Sequence, residues 1–200
     1  VSWNTLIAGY VQQRQGHEAL NCFNWMQNDG IPPNVVTFIL ILSACGYTRA
    51  IDKGKQIHEK IMNRDLLEKD IMLGNALIDM YAKCGMLSQA QKVLEELPLR
   101  DIVSWNALIS GYAEEGQGFE ALNSFDCMQS EGVLPDVVTF ICVLKACGIT
   151  RAIEKGDQIY EEILSRNLLA KDTTLGTALV DMYAKCGVLS KAQEILEELP

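Results

Sequence analysis

The chain has 200 residues, 48% hydrophobic and 22% charged, enough apolar side chain for a continuous core. That composition excludes a disordered or collagen-like polypeptide, and no uninterrupted apolar stretch approaches the roughly 18 residues of a membrane helix. The 17 lysines and arginines are outnumbered by 26 aspartates and glutamates, and the formal net charge of −9 argues against indiscriminate attraction to nucleic-acid phosphate.

Near the N-terminus, Trp3, Leu6, Ile7, Tyr10 and Val11 recur at three- and four-residue spacing, which predicts a helix. After Gly16, a stripe of Ala19, Leu20, Phe23 and Met26 predicts its partner. Gly30 with Pro32 and Pro33 ends the pair, because glycine accepts the left-handed turn past a helix and proline cannot continue one. The β-prone run Val35-Val36-Thr37-Phe38 leads directly into Leu42 at helical spacing, so no strand is predicted there. Ala76, Leu77, Met80 and Tyr81 mark another first helix with Gly85 as its expected C-terminal cap. Ser88 is expected to cap a second helix carrying Ala90, Val93, Leu94 and Leu97.

From Val103 the sequence repeats itself. Val1-Ser2-Trp3-Asn4 returns as Val103-Ser104-Trp105-Asn106, and Met80-Tyr81-Ala82-Lys83-Cys84-Gly85 returns as Met182-Tyr183-Ala184-Lys185-Cys186-Gly187, both at an offset of 102 residues. Acidic or amide residues that precede fresh apolar starts divide the chain into 1–34, 35–70, 71–101, 102–136, 137–172 and 173–200. Units of this size hold two helices, and such hairpins bury an apolar face only by stacking. The expected fold is an all-α solenoid, with the first helices lining a concave wall.

Chemistry-bearing clusters are absent from the pattern. The seven cysteines contain no CxxC pair and read as reduced thiols, and with only His17 and His58 beside them no zinc ligand set forms. No metal, cofactor or catalytic activity is expected, and the chain has neither the His-x-Glu nor the Pro-Cys-x-x-Cys element of a zinc deaminase. Trp3, Tyr10, Trp105 and Tyr112 are expected in the core. Cys45, Cys84, Cys147 and Cys186 are expected buried, each before a capping glycine, and the two histidines solvated.

The stretches VSWNxLIxGY, EALxxFxxMQxxG, VVTFxxxLxACG and xALxDMYAKCGxLxxAQ resemble pentatricopeptide repeats of the plant PLS subfamily, whose P, L and S repeats cycle through 35, 36 and 31 residues. The resemblance implies P repeats at 1–34 and 102–136, L repeats at 35–70 and 137–172, and S repeats at 71–101 and 173–200, the last truncated, wound into a right-handed superhelix. It implies a module that binds single-stranded RNA at about one base per repeat. A first-helix residue would read each base, braced by the last residue of the repeat: Asn4 with Asn34, Ile39 with Asp70, Asn75 with Asp101, Asn106 with Asp136, Ile141 with Asp172, and Thr177. Val1, Val36, Met72, Val103, Val138 and Thr174 would sandwich the bases, and Lys83 and Lys185 would meet phosphate. Isoleucine has no donor or acceptor, so the L repeats should discriminate poorly, and the implied target is 5′-C-n-U-U-n-purine-3′.

Such proteins generally specify sites of cytidine-to-uridine editing in mitochondria or chloroplasts, which here would place any targeting peptide outside this chain. The L repeats of the family also suggest small organellar editing-factor proteins as partners, and a protein-binding scaffold is the alternative function. Apolar residues near the C-terminal end, Ile195 and Leu199, suggest end-to-end self-association.

Overall fold

A computed structural model describes residues 2–67, 70–169 and 173–198. Among the described residues there are twelve α-helices and no strand: α1 (Trp3–Gln12), α2 (Gly16–Asn28), α3 (Val35–Thr48), α4 (Ile51–Met62), α5 (Ile71–Lys83), α6 (Leu87–Glu96), α7 (Ile102–Glu114), α8 (Gly118–Ser130), α9 (Val137–Thr150), α10 (Ile153–Ser165), α11 (Thr173–Lys185) and α12 (Leu189–Glu198). None of these helices is long and apolar enough to cross a membrane. The chain falls into two compact units, 1–108 and 109–200.

In the first unit α1 pairs with α2, α3 with α4 and α5 with α6, while α3 also packs on α1 and α2 and α5 on α3 and α4. In the second, α9 packs on α8, α10 and α11, and α11 on α10 and α12. Each unit is therefore a row of first helices backed by second helices, the architecture of an all-α helical-repeat solenoid. Phe23, Phe38, Phe125 and Phe140 are fully buried between the rows, and Trp105 and Tyr112 are core residues as expected, whereas Trp3 and Tyr10 are half-buried.

Local chemistry explains where the helices begin and end. Asn34 and Asp136 cap α3 and α9 in reciprocal capping boxes with Thr37 and Thr139, and Asp70 caps α5 by accepting from the Met72 N–H at 2.9 Å. Gly30, Gly85 and Gly132 take positive φ of 72°, 73° and 78° immediately past α2, α5 and α8, as their punctuation predicts.

Cys84 and Cys186, expected buried, are half-buried, and other expectations fail for identifiable reasons. Ser88 lies inside α6, which starts at Leu87 after Met86 with no side-chain cap. Gly46 and Gly148 do not end helices. They lie within α3 and α9, where a Cβ would come within 3.1 Å of the Lys83 and Lys185 side chains, so they serve the close approach of α5 and α11. His58 is not solvated: it is half-buried against Tyr81, its Nδ1 2.9 Å from the hydroxyl, and burial lowers its pKa. Ile195 is no open apolar face, being buried on α12, which packs on α11; Leu199 lies outside the described residues.

Candidate functional site

The first expected base-reading position is built into a helix start. Asn34 ends one hairpin and opens the next helix, and its Oδ1 accepts the Thr37 N–H at 3.0 Å. The same oxygen accepts from Asn4 Nδ2, on α1, at 3.1 Å. Thr37 Oγ1 lies 2.8 Å from Asn4 Oδ1 and accepts the Asn34 N–H at 3.2 Å. Asn4 and Asn34, paired in the sequence only by the resemblance, are in direct contact, and Thr37 completes a ring with them.

Asn75, on α5, repeats the theme with a carboxylate. Its Nδ2 donates to Asp101 at 3.2 Å to Oδ1 and 3.3 Å to Oδ2. Asp101 accepts the Ser104 N–H at 2.9 Å, and its own N–H donates to Ser104 Oγ at 2.8 Å. Burial pushes the Asp101 carboxyl upward, but hydrogen bonds from Ser104, Asn75 and the Val103 backbone outweigh it and hold its pKa below the ordinary aspartate value. The Ser104 hydroxyl stays within the cap, near Asp101 Oδ1 at 2.9 Å and the Asp101 carbonyl at 3.0 Å. No donor among the described residues reaches Asn75 Oδ1, which is buried.

Ile39 and Ile141 occupy the equivalent positions on α3 and α9, both half-buried, and Asp70 serves as helix cap. Asn106 is half-buried on α7, and Asp136 caps α9 through the Thr139 N–H at 2.9 Å. Thr177 is exposed on α11 and donates its hydroxyl to the Thr173 carbonyl at 3.1 Å, which leaves acceptor lone pairs outward. Val1 and Asp172 lie outside the described residues.

Three residues before Ile39, Asn75, Asn106, Ile141 and Thr177 stands an exposed side chain. Val36, Met72, Val103 and Val138 are 52%, 61%, 54% and 52% exposed, although each lies in a helix with a buried apolar face, and Thr174 is exposed as well. Apolar groups held in water in successive repeats are otherwise unfavourable, and a flat apolar ligand would cover them.

The lysines expected to meet phosphate are engaged within the protein. Lys83 Nζ is 2.6 Å from Asp79 and 4.7 Å from the centre of the Tyr47 ring, and Lys185 Nζ is 2.6 Å from Asp181. Arg14 lies over the Tyr47 ring as well, at 5.7 Å. Sequence reasoning missed Thr37, Ser104 and Tyr47 as neighbours of the site. The spacing Asn34-x-x-Thr37, that of a capping box, carried the signal for the first. Burial pushes the Cys45 and Cys147 thiols up to about 12, assisted by Cys84 and Cys186, so both remain protonated core groups.

With this geometry in place, comparison with known proteins identifies the class. The PPR repeat family model matches residues 1–46 and 100–149, and the PPR repeat model matches 75–102 and 177–200. Two pentatricopeptide repeat-containing proteins of Arabidopsis thaliana are each 37% identical, over 199 and 198 residues. The alignments cover 100% and 99% of this chain, which spans 29% and 25% of those relatives. A mitochondrial and a chloroplastic relative from the same plant are each 36% identical over 200 residues, with 22% and 32% of their lengths covered.

The crystal structure of the pentatricopeptide repeat protein PPR10 from maize matches 98% of this chain and 28% of its own, with a TM-score of 0.70 and 22% identity. PPR10 in complex with an 18-nt psaJ RNA element matches with a TM-score of 0.56 at 19% identity, over 98% of this chain and 34% of that one. The chain belongs to the PPR repeat family.

Proposed function

We propose that this chain is a sequence-specific single-stranded RNA-binding module of the PLS type, without catalysis of its own, reading about one base per repeat. The carrying observation is the direct contact between a first-helix asparagine and the residue ending its hairpin, Asn4 with Asn34 and Asn75 with Asp101. Each amide is thereby oriented, and three residues before Asn75 the exposed Met72 stands to cover a base face. The related maize protein carries RNA in its complex. Because Thr177 spends its hydrogen on Thr173, it suits the donor edge of a purine, as guanine N1–H provides.

In this reading the repeats run 1–34, 35–70, 71–101, 102–136, 137–172 and 173–200, and the segment aims an organellar editing factor at its transcript. The mitochondrial and chloroplastic relatives support an organellar location. Ile39 and Ile141 offer no hydrogen bond to a base, which leaves the L repeats available to a small editing-factor protein. Filter binding across homopolymers tests the core of it. Binding to pyrimidine RNA that weakens with salt is expected. Absence of binding at low salt contradicts RNA recognition and favours a protein-binding scaffold.

A further inference from the structure

We propose that Thr37, which belongs to the following hairpin, is a positioning residue that sets the hydrogen-bonding face Asn4 shows to a base; this rests on the base-reading function above. The basis is a count of hydrogens and lone pairs. Asn34 Oδ1 has two lone pairs, one taken by the Thr37 N–H at 3.0 Å and the other by Asn4 Nδ2–H at 3.1 Å. The Thr37 hydroxyl has a single hydrogen and two oxygens in reach, Asn34 Oδ1 at 3.0 Å and Asn4 Oδ1 at 2.8 Å. With the first already saturated, the hydrogen goes to Asn4.

That donation has two consequences. It occupies a lone pair of Asn4 Oδ1, and it fixes the amide, because a flip would set Asn4 Oδ1 against Asn34 Oδ1, acceptor against acceptor. Asn4 then keeps the second hydrogen of Nδ2 and one lone pair of Oδ1, with the oxygen held by the Thr37 hydroxyl and the nitrogen by Asn34. Donor and acceptor held in fixed places can tell the edge of cytosine from that of uracil, in which the two are exchanged, whereas an amide that flips reads both alike.

At Asn75 the bracing residue is a carboxylate, with two oxygens and about four lone-pair sites. Asp101 takes the Asn75 amide and the Ser104 N–H and still has room for the Ser104 hydroxyl, 2.9 Å from its Oδ1. The hydroxyl therefore has no need to turn to Asn75, whose Oδ1 stays unpartnered among the described residues. Asn75 Oδ1 is buried, so the amide is held by the Asp101 carboxylate alone and turns its second Nδ2 hydrogen to a base. The residue that ends a repeat thus decides whether the hydroxyl three residues further on takes part in holding the reader.

Competition binding of the 200-residue chain to 5′-C-n-U-U-n-purine-3′ and to RNAs changed at the first or third base tests this. The wild-type chain should prefer C over U at the first base by about tenfold, the scale of one good base contact. Thr37→Val deletes the hydroxyl but retains the N–H to Asn34. It should bring that ratio close to one without changing the third-base preference, and Thr37→Ser should restore it. A wild-type first-base ratio retained in Thr37→Val overturns the role of Thr37 and leaves base reading standing. No C-over-U preference in the wild type overturns base reading by Asn4 and the Thr37 role with it. Loss of preference at the first and third bases alike, with a lowered melting midpoint by circular dichroism, makes Thr37 purely structural and also overturns the proposal.

Discussion

The carboxylate of Asp101 holds the Asn75 amide at 3.2 and 3.3 Å while accepting the Ser104 N–H at 2.9 Å, so one side chain both opens α7 and orients a residue of α5. Helix capping and site geometry are here the same set of hydrogen bonds. Asp101→Ala removes both, and the loss of an N-cap alone costs about 1 kcal/mol. Chemical denaturation should show at least that loss, and an unchanged midpoint would mean that the cap carries no stability.

The same carboxylate makes stability depend on acid. Its folded pKa lies below the unfolded value, so its contribution is present above the unfolded pKa and is lost as pH falls through the folded one. The thermal midpoint of the wild type should therefore fall more steeply below the ordinary aspartate range than that of Asp101→Asn. Parallel curves would contradict the assignment.

Two glycines separate rigid from adaptable packing. A Cβ on Gly16 would lie 2.5 Å from Thr48 Cγ2 and 3.0 Å from the Ala44 carbonyl, whereas one on Gly54 would meet only the flexible end of Met80, with Sδ at 2.5 Å and Cε at 2.8 Å. Gly16→Ala should cost about 1–3 kcal/mol because backbone must shift. Gly54→Ala should cost less, since methionine adapts and alanine gains about 1 kcal/mol of helix preference over glycine. Urea midpoints in the reverse order would refute this ranking.

Tyr183 should ionise late. Burial, followed by the 2.6 Å hydrogen bond to Asp157, pushes its pKa up to about 12. Because the folded value exceeds the unfolded one, its contribution to stability is present at neutral pH and lost as pH rises through the folded value. Ultraviolet titration should lose its highest-pH tyrosine step in Tyr183→Phe, and retention of that step would assign the shift elsewhere.

Lys83 and Lys185 decide between phosphate contact and intramolecular pairing, since each already bonds an aspartate one turn earlier. If Lys83 releases Asp79 to meet RNA, Lys83→Ala should weaken binding to all sequences and reduce the salt slope by about 1. An unchanged slope would leave it as a partner of Asp79 and Tyr47 only.

The fold was legible because apolar residues at helical spacing and a 102-residue internal echo constrain each other. Phe23 lies on the apolar stripe the sequence predicts for α2, and it is fully buried. The site was legible in part. Asn4 and Asn34 were paired by resemblance, but the third member of their ring was hidden, because Thr37 sits in a β-prone run whose meaning depends on a contact 33 residues away. Gly46 misled because the pair Cys-Gly looks alike after Cys84, where Gly85 turns the chain, and after Cys45, where Gly46 makes room for Lys83. His58 misled because its partner Tyr81 lies on another helix, and a lone histidine carries no spacing signal.

The measurement closest to the central claim is competition binding with RNAs that differ only at the fourth base, using the wild type and Asn106→Thr. The substitution replaces an amide that both donates and accepts with a hydroxyl of shorter reach on the same turn of α7. The account predicts that the wild type prefers uracil and that Asn106→Thr moves the preference to guanine, by a factor on the order of ten or more. Identical ranking of the four bases by both proteins would contradict it.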